Sequence, residues 1–343
     1  MYVLSIVRGD RSSGVLPLLE RTEDRGAEVP HTERAYGRVG ASSHKELQFC
    51  NSFKPLPQFT IISIHNITIM TKTLTPPEVP NVVLSYPEPH ILLVRLNRPE
   101  HLNAMQRQMS FDLDRLWKWY DNEPSLRCAV ITGTGRAFCA GADLKEWNVK
   151  NSESSTTNLD KWADNGFGGL SNRRGKKPVI AAVNGLCLGG GMEMILNLDM
   201  VIASETAKFG LPEVKRGVVA IAGALPRLIR TVGRQRASEI ALLGRMYTAE
   251  QFLSWGVVNK VVKLEEVVSE ALRWAVEMSN NSPDSVIVSR EGLLGGWEAE
   301  GPKDSTNRIE HGVFKTMEGG DNMKEGVLSF VEKRSAVWKN SKL

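Results

Sequence analysis

From residue 82 onward, short runs of consecutive apolar residues alternate with longer amphipathic stretches. Residues 81–86 and 90–97 read as two strands, joined by the turn Pro87-Glu88-Pro89. Met105, Met109, Leu113, Leu116, Trp117 and Tyr120 then recur at helical spacing with polar residues between them. This predicts a helix opening at Asn103 whose apolar stripe faces a core. Residues 129–132 and 178–184 are continuous apolar runs, as expected for strands buried on both faces. Shorter runs at 200–203 and 208–209 predict two more strands. Helical patterns follow at 222–232, 236–243 and 249–255, with a last strand expected at 257–262. Val267, Val268, Ala271, Leu272, Ala275 and Val276 share one face of a helix predicted over 265–279, and more helices follow. The class is therefore α/β.

Two segments break this pattern. Residues 1–69 mix charges, Gly, Pro and Ser without sustained periodicity, apart from an apolar run at 60–69. They read as a disordered extension or an upstream gene-model artefact, with Met70 as the working start. Their arginines hint at a transit peptide, but Glu20, Glu23, Asp24, Glu28 and Glu33 argue against one. Residues 148–175 are polar and rich in Gly, Ser and Asn, and read as a mobile lid or pocket wall.

Composition narrows the function classes. Hydrophobic residues make up 41% and charged residues 24% of the chain, as in an ordinary globular protein. A formal net charge of +4 is too small to imply a nucleic-acid or membrane surface. No apolar run approaches the roughly 18 residues of a membrane span. Cys50, Cys128, Cys139 and Cys187 lack metal spacing, and Cys128 and Cys187 lie in apolar runs that read as core. The histidines form no HExxH pair, so no metal site is expected. GxSxG and P-loop motifs are absent, and Gly133-Thr134-Gly135 does not continue into GxGxxG. The chain ends in Ser341-Lys342-Leu343, the tripeptide read by the peroxisomal import receptor. An exposed tail after a helix would make it usable, so the expected location is the peroxisome.

What remains is chemistry by carboxylates and backbone amides. Leu188-Gly189-Gly190-Gly191-Met192-Glu193 carries three glycines into a helix start, with Glu193 in its first turn. Unpaired N–H groups at such a start can hold a developing oxyanion while a carboxylate moves a proton. The bland alternative is a Gly-rich turn with a solvated glutamate. In residues 136–146, small side chains at 139–142 allow close backbone approach, and Lys145 can meet a phosphate. Glu213, after Phe209-Gly210-Leu211-Pro212, is far enough along the chain to return to the pocket of Glu193. Two opposed carboxylates can hold one water between them. Read alone, Glu213 is a surface glutamate after a proline.

These motifs together resemble the enoyl-CoA hydratase/isomerase, or crotonase, superfamily over residues 82–343. The matching stretches are Leu96-Asn97-Arg98-Pro99-Glu100 with Leu102-Asn103-Ala104, then 135–146, Lys177-Pro178 through Asn184-Gly185, 189–193, 209–213 and finally Phe330-Val331-Glu332-Lys333-Arg334. The resemblance implies a ββα superhelix over 70–265 and a C-terminal helical trimerisation region over 266–343, assembled as a homotrimer or hexamer. It implies an acyl-CoA thioester substrate, with coenzyme A as part of the substrate and no separate cofactor. The thioester oxyanion hole falls on the amides of Ala142 and Gly190, and the catalytic carboxylates on Glu193 and Glu213. The coenzyme A path falls on Ala142, Asp143, Leu144 and Lys145, completed by Phe330 and Lys333, often from a neighbouring subunit. Retention of both glutamates implies hydration or dehydration across C2–C3; an isomerase using one glutamate and a non-catalytic binding protein are the alternatives.

The segment 214–224 departs from common hydratases, which carry a Pro-Gly-Ala-Gly-Gly-like run; here Ala220 replaces the proline and Ala224 the last glycine. With Trp147, these changes bear on acyl specificity; the stretches 140–148 and 211–220 are similar to fungal peroxisomal members, some of which act in secondary metabolism. Those include enzymes of toxin synthesis and a mevalonyl-CoA dehydrating enzyme of siderophore synthesis. Carnitinyl-CoA dehydratases look similar around Glu213.

Overall fold

The computed structural model describes residues 63–64, 67–68, 75–146 and 163–343, all within the unit Gln58–Leu343. Trp147, Cys50, most of the 1–69 extension and residues 148–162 of the expected lid lie outside the described residues.

A short antiparallel pair, β1 (Ser63–Ile64) with β2 (Ile67–Thr68), precedes the core. The core then follows from a repeated two-strand unit. A long strand joins the large sheet, the chain turns, and a short strand joins a small sheet. This occurs with β5 (Cys128–Gly133) and β6 (Ala137–Cys139), β7 (Val179–Val183) and β8 (Leu186–Leu188), and β9 (Met200–Ser204) and β10 (Lys208–Gly210). The large sheet runs β12-β9-β7-β5-β4-β3, with β3 (Val82–Ser85), β4 (Ile91–Leu96) and β12 (Lys260–Val262). All its pairings are parallel except β3 with β4. The small sheet runs β11-β10-β8-β6, with β11 (Met246–Thr248) antiparallel at its edge. The unit therefore advances stepwise in both sheets, which is the ββα spiral.

Both faces of the large sheet are covered, which explains the continuous apolar runs. Leu92, Val94, Ala129, Ile131, Ala181 and Val183 face the main core shared with α1 (Arg107–Asn122). Ile91, Leu93, Val130, Ile180 and Ile202 face the other way, onto Val267, Ala271 and Ala275 of α6 (Val267–Ser279). Although the sequence boundary at 265 groups α6 with the C-terminal helices, this packing makes it a cover of the sheet. The remaining helices are α2 (Gly190–Ile195), α3 (Ala224–Val232), α4 (Arg234–Leu243), α5 (Ala249–Ser254), α7 (Pro283–Trp297), α8 (Pro302–His311), α9 (Val313–Met317) and α10 (Asp321–Val331).

Three expectations shift. The helix predicted from Asn103 starts at Arg107, because Asn103 is left-handed (φ 55°) and its side chain is spent on loops. Its Oδ1 accepts from Arg98 N (2.8 Å) and its Nδ2 donates to Ala137 O (2.7 Å). The end of the expected lid is not a surface flap. Ala163, Phe167, Leu170 and Ser171 are buried, and Trp117 Nε1 donates to Gly168 O at 3.0 Å. The C-terminal tail is not simply exposed either. Leu343 is half-buried, its terminal carboxylate accepts from Lys176 Nζ (2.7 Å), and Lys342 pairs with Asp321 (3.0 Å).

Candidate active site

The turns leaving β6, β8 and β10 meet at one open cleft. Asn184, at the corner between β7 and β8, ties that corner to the turn between β5 and β6. Its Oδ1 accepts from Gly133 N (3.1 Å) and its Nδ2 donates to Gly135 O (2.8 Å). The cleft is lined by Ala142, Leu144, Phe167, Gly190, Glu193 and Glu213, among others. Residues distant in sequence, Ala142, Gly190, Glu193 and Glu213, are thus brought to one wall.

Among the described residues, local structure gives the two amides no hydrogen-bond acceptor. Gly141 O accepts from Met105 N and Asp143 N donates to Met105 O, both at 2.9 Å. Peptide groups alternate direction along an extended segment. The Ala142 N–H between them therefore faces away from Met105, on the side of the cleft. Gly189 caps α2 at φ 54°, ψ −124°, a conformation for which only glycine is suited. Gly190 then begins the helix, where no preceding turn supplies an acceptor for its N–H. The approach is close: a Cβ on Gly141, itself at φ 96°, would lie 3.2 Å from Gly190 N. A Cβ on Gly190 would lie 2.6 Å from the Phe167 ring, and one on Gly189 would lie 3.1 Å from Glu213 Oε1.

Glu193 is 4% exposed and projects from the first turn of α2. Its Oε1 accepts from Ala222 N (2.9 Å) and Ala224 N (3.4 Å), the latter the first residue of α3. Burial raises its pKa to about 7; the two N–H donors and Arg227 oppose this, and nearby Glu213 adds to it. Glu213 opens a short 3-10 turn after Pro212. Burial also raises its pKa, opposed by its own backbone N–H. Its Oε2 is buried and has no partner among the described residues. Two carboxyls in one cleft whose proton affinities are both raised by burial are suited to act as acid and base. Because each donor to Glu193 is a backbone N–H, replacing a glycine with Ala224 costs the site nothing there.

Other predicted site residues are distributed differently. Leu144 lines the cleft, while Asp143 is committed to Arg98 (3.3 Å) and to Lys145 N (3.2 Å). Lys145 is exposed beside it. Phe330 (84% exposed) and Lys333 lie at the end of α10 and outside the cleft lining. Sequence reasoning missed Phe167, Val218, Val219, Ile221 and Ala222, which form the apolar wall, and Arg216, which also lines the cleft. Aliphatic side chains after Glu213 were visible as a run, but nothing in their order says which face a pocket. No group of side chains suited to a metal occurs among the described residues. None of their helices is long and apolar enough to cross a membrane.

Comparison with known proteins identifies relatives of the whole domain. A mevalonyl-coenzyme A hydratase SIDH of Beauveria bassiana is 63% identical over 280 residues, covering 80% of this chain and 100% of that protein. Mevalonyl-coenzyme A hydratase sidH of Aspergillus fumigatus is 50% identical, covering 78% of this chain and 98% of that protein. The crystal structure of enoyl-CoA hydratase from Mycobacterium tuberculosis superposes with a TM-score of 0.68 at 30% identity, covering 76% of this chain and 100% of that one. Residues 88–341 match the Enoyl-CoA hydratase/isomerase family, and this chain, an acyl-CoA lyase of the crotonase fold, belongs to it.

Proposed function

We propose that the chain adds or removes water across C2–C3 of a mevalonyl-type acyl-CoA by means of Glu193, Glu213 and the amides of Ala142 and Gly190. The observation that carries this reading is the convergence of both carboxyls and both amides on one cleft. The mevalonyl assignment rests on the 63% and 50% identical relatives, and with it goes a role in siderophore synthesis. In hydration, ionised Glu193 takes a proton from water as its oxygen bonds C3, and protonated Glu213 delivers a proton to C2. In dehydration, Glu213 removes the C2 proton and Glu193 protonates the departing hydroxyl. The enolate oxygen formed in either direction is held by the two amides; one such donor is worth about 2.7–4 kcal/mol. The step is redox-neutral and needs no group beyond these, so no cofactor is called for; coenzyme A belongs to the substrate. Leu144 and Lys145 would run along the coenzyme A, with Asp143 bracing Arg98 behind them.

Carrying Glu193→Gln and Glu213→Gln through an enoyl-thioester absorbance assay tests the mechanism. Each is expected to lose roughly 10²–10⁴-fold in kcat; near-normal turnover in both refutes it. A product mixture without 3-hydroxyacyl-CoA would instead identify an isomerase. The location and assembly belong to the same reading. Ser341-Lys342-Leu343 would be read by the peroxisomal import receptor after release from Lys176, and a fluorescent fusion ahead of the intact C-terminus that stays cytosolic refutes this. Val327, Phe330 and Val331 are exposed on α10 and fit a trimer or hexamer, with Phe330 and Lys333 completing a neighbour's coenzyme A site. A monomer by light scattering refutes that.

A further inference from the structure

The cradle that holds Glu193 is itself held from behind. Ala224 N, which donates to Glu193, belongs to the same peptide unit as Gly223 O. That unit is planar and trans, so its carbonyl and its N–H point in opposite directions. Fixing one fixes the other. Arg227 Nη1 donates to Gly223 O at 3.1 Å and to Asn172 Oδ1 at 2.8 Å. Gly223 sits at φ 125°, so this peptide has no helical frame on its N-terminal side to orient it. The preceding peptide is gripped in the same way: Ser171 Oγ donates to Ala222 O (2.6 Å) while accepting from Phe167 N (2.8 Å). The arrangement ties the Glu193 cradle to the segment that carries Phe167.

We propose that Arg227 is a positioning residue, which grips the Gly223 carbonyl and so aims the Ala224 N–H at the Glu193 carboxylate. It rests on the reading of Glu193 as the group that handles water. A hydrogen bond accepted by the carbonyl also polarises the N–H of the same peptide, strengthening its donation. The charged groups facing Glu193 are Glu213, from the turn after β10, and Arg227, from α3. Arg227 in turn faces Glu298 and Arg230. Glu213 and burial disfavour the Glu193 anion, whereas the two amides and Arg227 favour it. Removing Arg227 therefore moves Glu193 toward its neutral form at a given pH.

The test is the pH profile of hydration of a 2-enoyl-CoA thioester by the full chain and its Arg227→Met and Arg227→Lys variants. Arg227→Met is expected to lose roughly tenfold in kcat, with KM nearly unchanged, through misdirection of one donor. Its acid limb should move to higher pH, since the active form needs ionised Glu193. Arg227→Lys keeps a charge and one donor, and should bring the limb back toward wild type. A limb that stays in place in folded Arg227→Met, with or without loss of kcat, overturns the proposal. Should Arg227→Met fail to fold, Asn172→Ala, which frees the other side of the guanidinium, must shift the limb in the same direction; no shift overturns it. Glu193→Gln separates the two ideas. If it turns over normally, the water-handling role of Glu193 has failed; if it is inactive while the Arg227 limb stays fixed, only the positioning role has.

Discussion

Gly190→Ala tests the oxyanion wall with a single methyl group. Gly190 begins α2 without a positive φ, so alanine suits its backbone and only space opposes it. The added Cβ would lie 2.6 Å from Cε1, Cε2 and Cζ of Phe167. Carbon atoms rest at about 3.5–4.0 Å, so one side must retreat by about 1 Å. Phe167 is 2% exposed and its N–H is tied to Ser171, so the ring has little freedom. Overpacking of this kind costs about 1–3 kcal/mol of stability. If Gly190 N moves instead, the loss falls on the thioester oxygen, at about 2.7–4 kcal/mol or 10²–10³ in kcat. The assays are the urea midpoint and the decay of enoyl-thioester absorbance. Adding Phe167→Ala should recover stability beyond the sum of the single changes, with a coupling of about 0.5–3 kcal/mol. A Gly190→Ala enzyme of unchanged stability and unchanged kcat would refute both the crowding and the role of this amide.

Further changes probe the supports of the site. Glu193 is raised from an ordinary carboxylate to about 7 by burial, so the folded state binds its proton more tightly than the unfolded one. Its contribution is present below about pH 4.5 and is lost as pH rises through about 7, a penalty of at most about 3 kcal/mol. Glu193→Gln should therefore raise the urea midpoint at pH 8 and change it little at pH 4, even as activity falls. Asn184→Ala strands Gly133 N and Gly135 O; a loss of about 2–4 kcal/mol is expected in chemical denaturation. Thr248→Ala removes the capping box of α5, in which Thr248 Oγ1 accepts from Gln251 N (3.2 Å), and should cost about 1 kcal/mol with kcat intact.

Much of this site was legible along the chain because it depends on local rules. Three glycines before a glutamate specify a tight turn, a helix start and a carboxylate one turn in. The apolar runs specify strands buried on both faces, and the amphipathic stripe of α6 specifies a helix with one covered side. The short strands β6, β8 and β11 were not legible, since three residues carry too little periodicity to separate from a turn. The boundary at Asn103 was misread because a buried asparagine serving two loops looks, in sequence, like a helix cap. The expected lid looked mobile because Gly, Ser and Asn are loop residues, yet Phe167 and Leu170 within it are core.

The sequence by itself determined the longer elements and the glycine turns, because spacing and backbone freedom are properties of neighbours along the chain, while the pairing of Glu193 with Glu213 was carried by the family resemblance. Only the tertiary structure decided that Glu193 is cradled by the amides of Ala222 and Ala224, that Phe167 closes on Gly190, and that Arg227 stands behind the cradle. Those contacts are made by backbone groups, which every residue carries, and by side chains tens of residues apart. Their geometry exists only once the two sheets have stacked.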